Sequence, residues 1–152
     1  MSLRERLNKV LGHALVVIMS IMVVNVLWQV FSRYVLGMPS SFTEELARFL
    51  MIWLGVLGAA FVAGGNGHVA IDTLVKRGGQ RTQKRLKLAV RIAIISFCFF
   101  AMVVGGFRLV YITYMLEQYS PALGLPLGVV YLVIPIGGFL IISYKISDML
   151  TD

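Results

Sequence analysis

Hydrophobic positions in this chain come in four long runs, and charged residues fall between the runs rather than inside them. Residues 10–32, 49–67 and 118–144 contain no Lys, Arg, Asp or Glu. A shorter uncharged run, 92–107, continues past Arg108 through 109–116. A helix that rises about 1.5 Å per residue needs roughly 20 apolar residues to cross the hydrocarbon core of a bilayer. The pattern predicts an all-α integral membrane protein with four transmembrane helices, over residues 10–32, 46–66, 90–114 and 124–144. Together they form a single four-helix membrane domain over 1–152, with no internal repeat or soluble segment. Arg4, Arg6 and Lys9 precede the first run in the manner of a signal peptide. A signal's apolar region is only about 7–15 residues long, so the first run reads as an uncleaved anchor.

Composition agrees with the pattern. Of 152 residues, 59% are hydrophobic and 14% charged, where a soluble domain carries about 25% charged residues. A globule of this size has too little interior to hide so much apolar surface, and disorder is excluded by the same figures. The single cysteine, Cys98, cannot make a disulfide framework or a dithiol centre within one chain.

Charge gives the orientation. The net charge is +7. Eleven of the 14 cations fall in the N-terminal lead, in the loop from Lys76 to Arg91, or at Lys145; Arg33, Arg48 and Arg108 fall on the other side. Cations concentrate on the cytoplasmic side of a membrane, so both termini and the basic loop are expected in the cytoplasm. No aromatic residue is interleaved with the seven cations of that loop, as a nucleic-acid stacking platform would require. The loop reads as a topology signal with attraction to lipid headgroups, and no nucleic-acid partner is expected. Leu86, Ala89 and Val90 share an apolar side there, which suggests a short interfacial lead-in to the third span.

Ionisable groups deep in a membrane usually mark transport or catalysis, and the middles of these spans have none. A self-contained ion pump is therefore not expected. Asn25, Gln29 and Arg33 recur at four-residue spacing, forming one polar stripe on the first span, suited to facing protein or, in a homo-oligomer, to lining a pore. Gly55, Ala59, Ala63 and Gly67 form a small-residue ridge on the second span, and Gly124 with Gly128 a shorter one on the fourth. At the outer mouth of the second span, Ser41 is the expected N-cap, with Glu44 three residues on as its capping-box partner. Glu44 and Arg48 form a favourable i, i+4 pair. Capping leaves Glu45 and Trp53 without a role. His13 and His68 are too few for the usual haem sites of four-helix membrane cytochromes, so no cofactor or metal is expected. A membrane enzyme is also excluded, because its candidate groups His68, Asp72 and Glu45 lie on opposite sides of the membrane.

Several blocks carry a resemblance. They are Arg33-Tyr34-Val35, Glu44-Glu45-Leu46-Ala47-Arg48-Phe49-Leu50, Trp53, Leu57-Gly58-Ala59-Ala60 and His68-Val69-Ala70-Ile71-Asp72. Tyr119-Ser120-Pro121-Ala122-Leu123-Gly124-Leu125-Pro126, with Tyr131 and Pro135, completes them. In order and spacing the chain resembles the small membrane subunit of tripartite ATP-independent periplasmic (TRAP) transporters along its whole length. The resemblance implies a non-catalytic subunit in a bacterial or archaeal inner membrane. Its partners would be a large, sodium-coupled permease subunit, a transiently docking periplasmic binding protein that captures an organic acid, and membrane lipids. It also implies that this subunit binds no substrate and enlarges the permease's immobile scaffold. On that basis Asn25, Gln29, Arg33, Glu44, Glu45, Arg48, Trp53, Gly55, Ala59, Ala63, His68 and Asp72 are candidate partner-interface residues.

Overall fold

The structure is a computed structural model that describes residues 3–65 and 80–151. Its elements are α1 (Leu3–Tyr34), α2 (Ser41–Gly64), α3 (Gln80–Phe97), a π-helical segment (Cys98–Val104), α4 (Gly105–Met115), α5 (Leu127–Tyr131) and α6 (Val133–Thr151). Phe97, Val104 and Gly105 all keep right-handed helical angles, so α3, the π segment and α4 form one rod. Leu132 is helical as well and joins α5 to α6. The break there has a local cause. Pro135 has no N–H to give to the carbonyl of Tyr131, and its ring crowds that carbonyl.

The chain is thus all-helical in its named elements, and four stretches are long and apolar enough to cross a membrane: Arg4–Tyr34, Ser41–Gly64, Leu88–Met115 and Leu127–Met149. The helices overrun the uncharged runs, because a charged residue marks the edge of the hydrocarbon and not the end of a helix. Hydroxyls within the spans are satisfied locally. Ser20, Thr113 and Ser143 donate to the carbonyls of Val16, Leu109 and Phe139, each four residues back.

Two expectations are corrected. The N-cap of α2 is Ser40, not Ser41. Ser40 has extended angles, its hydroxyl faces the Thr43 N–H, and its carbonyl accepts from Glu44 N–H and from the Thr43 hydroxyl. Thr43 therefore occupies the position expected for Glu44, and Ser41 is already helical. Gly124 is not part of a helical ridge. It lies in the turn before α5 with φ +65°, a left-handed conformation that glycine adopts without steric cost.

The rods make a row more than a closed bundle. α1 packs on α2, α2 on α6, and α6 on the rod of α3, the π segment and α4. One buried cluster joins Leu11, Leu57, Val133 and Tyr144; a second joins Ala60, Cys98 and Ile141. The fourth span is the central one: 44% of its most apolar stretch is buried, against 11% in each of the others. Close approach around it depends on missing side chains. A Cβ on Gly138 would lie 2.8 Å from that of Met102, one on Gly106 would lie 2.8 Å from the Pro135 ring, and one on Gly137 would overlap Val56.

Candidate interaction surfaces at the two ends of the helix row

At the loop end, α2 holds the other elements through side chains aimed at backbone. The Glu45 carboxylate accepts from the N–H groups of Ala122 (2.8 Å) and Leu123 (3.2 Å). The Ser120 hydroxyl also accepts from Leu123 N–H. Eight residues on, and so on the same face of the helix, the Trp53 indole N–H donates to the Val130 carbonyl at 3.1 Å. Glu45 and Trp53, which capping left unexplained, thus fasten α2 to the 118–126 turn and to α5. On another face of α2, the Asn25 amide donates to the Thr43 carbonyl at 2.7 Å and ties α1 to α2. Asn25 is buried, Gln29 half-buried and Arg33 exposed. The polar stripe therefore turns from the α1–α2 seam to the surface as it rises, and the Asn25 amide is taken within the chain.

Glu44 and Arg48 remain at the surface, paired at 3.7 Å with side chains 56% and 67% exposed. With Ser41, Glu45, Pro121 and Ala122 they line an open cleft. Further down α2, Gly55 and Ala59 are exposed, and a Cβ on Gly55 or Gly58 would meet nothing within 4 Å. Packing within the chain uses a different face of α2, with Leu57, Ala60 and Gly64 buried. Ala63 is half-buried. Gly67, His68 and Asp72 lie outside the described residues.

The end that carries both termini holds a polar cluster the sequence did not single out. The Arg4 guanidinium donates to Asp148 at 2.7 Å and, through two nitrogens, to the Gly64 carbonyl at the close of α2. It also sits over the Tyr144 ring, 5.9 Å from its centre. Lys145 is only 2% exposed; its ammonium reaches the Ala63 carbonyl at 3.5 Å and Asp148 at 3.6 Å. Two cations thus meet the negative end of the α2 dipole, with one carboxylate between them. Arg4 and Lys145 carry the same charge as the orientation residues, which hides this second role. The signal that could have found it is Asp148, a rare acid in a chain with only seven, placed one helical turn after Lys145.

Among the described residues, no group of three or more His, Cys, Asp or Glu side chains could hold a metal ion. Both ends offer backbone-anchored polar frames and exposed apolar flanks, the chemistry of assembly.

Comparison with known proteins gives the setting. Residues 21–152 match the family described as the DctQ component of tripartite ATP-independent periplasmic transporters. A Haemophilus influenzae protein described as a TRAP transporter small permease is 29% identical over 150 residues, 99% of this chain and 91% of its own length. The sialic acid TRAP transporter small permease SiaQ of Vibrio cholerae is 28% identical over 61% of this chain and 54% of its own length. The ectoine TRAP transporter small permease TeaB of Halomonas elongata is 30% identical over 77% of this chain and 60% of its own length. This chain belongs to the DctQ family of TRAP small permease subunits, multi-pass membrane components of a transporter and not enzymes.

Proposed function

We propose that this chain enlarges the stationary scaffold of a large, sodium-coupled TRAP permease and presents part of the surface on which a periplasmic binding protein docks. The observation that carries the reading is the second span. Its inward face is used for internal packing, while Gly55, Gly58 and Ala59 leave a shallow, open face suited to a partner helix. The exposed Glu44–Arg48 pair and the turn held by Glu45 supply charged and shaped features at the loop end for docking. Arg33 and Gln29 extend that end along α1. His68 and Asp72 would fix the opposite end of α2.

In this reading both termini are cytoplasmic, the membrane is a bacterial or archaeal inner membrane, and the substrate is an organic acid of the C4-dicarboxylate, sialic acid or sugar-acid class. Selectivity resides in the other two proteins, which accords with small subunits named for cargoes as different as sialic acid and ectoine.

The test is co-purification of the tagged chain with a large TRAP permease, followed by uptake in proteoliposomes. Uptake is expected only with permease, binding protein and this chain together, and only with a sodium gradient. Sodium-driven uptake by this chain alone would overturn the subunit reading. Alkaline phosphatase fused after Tyr119 is expected to be active, and green fluorescent protein fused at Asp152 to fluoresce.

A further inference from the structure

Arg4 and Asn8 stand one helical turn apart on α1, and Tyr144 and Asp148 one turn apart on α6. α1 begins at this end of the row and α6 finishes there, so the four side chains form two rungs between the helices. The outer rung is Arg4 with Asp148, joined directly at 2.7 Å. The inner rung is Asn8 with Tyr144, and it is not joined directly. Among the described residues, the Asn8 Oδ1 and the Tyr144 hydroxyl are buried polar atoms with no hydrogen-bond partner. Tyr144 as a whole is only 2% exposed.

Both groups close on the same glycine. A Cβ on Gly64 of α2 would lie 2.7 Å from the Asn8 Oδ1 and 2.9 Å from the Cζ of Tyr144, the ring carbon that carries the hydroxyl. The space between the two groups is therefore on the scale of one small molecule. A polar atom buried without a partner is costly, and internal waters typically make about three hydrogen bonds to groups of this kind. The chemistry selects the occupant. An amide oxygen can only accept, whereas a tyrosine hydroxyl can donate, so the occupant must give one hydrogen and receive another. An anion has no hydrogen to give to Asn8. A cation is opposed by the Arg4 guanidinium, which sits over the Tyr144 ring 5.9 Å from its centre, and by buried Lys145. Water meets both demands.

We propose that one water molecule occupies the inner rung, donating to the Asn8 Oδ1 and accepting from the Tyr144 hydroxyl. α1 and α6 are then linked twice beside the close of α2, directly through Arg4 and Asp148 and one turn deeper through water. The site is internal to the chain and stands independently of its role in transport.

The test is magnetisation transfer from water protons, read by solid-state NMR on the isotope-labelled full chain in lipid bilayers. Thr113 is the reference, because it is equally buried and its hydroxyl donates to the Leu109 carbonyl. Transfer to Tyr144 Cζ and Asn8 Cγ is expected to run ahead of transfer to Thr113. It should be lost at Tyr144 in Asn8→Leu and lost at Asn8 in Tyr144→Phe. It should persist in Arg4→Gln, which removes a guanidinium able to relay protons from bulk water. Asn8→Leu and Tyr144→Phe should each lower the unfolding temperature, and the double variant should lose less than the sum. Transfer to Tyr144 no faster than to Thr113 in the unaltered chain would overturn the proposal, whether or not the variants fold. So would transfer to Tyr144 that survives Asn8→Leu, or that disappears in Arg4→Gln.

Discussion

Arg4 and Asp148 stand 144 residues apart in the sequence and meet at 2.7 Å, joining the start of the first helix to the end of the last. The same guanidinium closes the final turn of α2 through the Gly64 carbonyl. Three of the four rods are therefore fastened at one point. The fourth lies beside α6 and is held by the close packing of Gly106 against Pro135 and of Gly138 against Met102.

This cluster predicts an asymmetry between its members. Arg4→Gln leaves Asp148 with Lys145 still beside it. Asp148→Asn leaves two cations, one of them buried, with no carboxylate between them. Removing a partner from a charged hydrogen bond typically costs about 1.5–3 kcal/mol, and more where the remaining charge is buried. Thermal unfolding in detergent should show the larger loss for Asp148→Asn, and the double variant should lose less than the sum of the two. Equal single losses that simply add would count against a shared cluster.

Glu45 predicts a different signature, because it bonds to backbone. Its carboxylate accepts from two N–H groups in a turn 77 residues away. In Glu45→Gln the amide oxygen can still accept, so the turn should hold with modest loosening. In Glu45→Lys an ammonium meets two donors and the contact is lost. Hydrogen exchange at Ala122 and Leu123 should accelerate slightly in the first variant and strongly in the second. Complex assembly and uptake should fall in the same order, because the turn forms part of the proposed docking surface.

Four spans were legible because hydrocarbon tolerates few patterns besides long apolar helices. The contacts between them were less so. Glu45 and Trp53 stood out as unexplained by capping, but their partners are backbone groups of the 118–126 turn and of Val130, which no side-chain pattern announces. Gly55 and Ala59 are exposed, whereas glycines closely packed within the chain, such as Gly64, Gly106, Gly137 and Gly138, carry no regular spacing. They face Pro135, the π-helical segment, Val56 of α2 and Tyr144, so geometry sets their spacing. Arg4 and Lys145 were hidden because a cation at a membrane edge already has a sufficient reason to be there.

Trp53 offers a smaller, cleaner measurement. Trp53→Phe keeps an aromatic ring in the cluster with Leu57 and Val133 but removes the donor to the Val130 carbonyl. A lost neutral hydrogen bond with a carbonyl left buried is expected to cost about 1–3 kcal/mol. A lower unfolding temperature in the isolated chain, with unchanged helix content by circular dichroism, would match. Trp53→Phe with unaltered stability would show that the indole N–H contributes nothing to holding α5.

The two kinds of glycine separate folding from assembly. At Gly137 any side chain would run into Val56, and overpacking of this kind costs about 1–3 kcal/mol or more. Gly137→Leu should therefore destabilise the isolated chain. At Gly55 a Cβ meets nothing within 4 Å, so Gly55→Leu should unfold at the same temperature as the unaltered chain, or slightly higher because glycine is a poor residue for a helix interior. If α2 presents this face to the permease, however, a leucine there would hold the partner helix away. Gly55→Leu and Ala59→Leu should then leave the chain stable and membrane-inserted but reduce its co-purification with the permease. If both variants assembled normally and supported full uptake, the permease would have to pack on another side of the row, and the exposed face of α2 would be left to lipid.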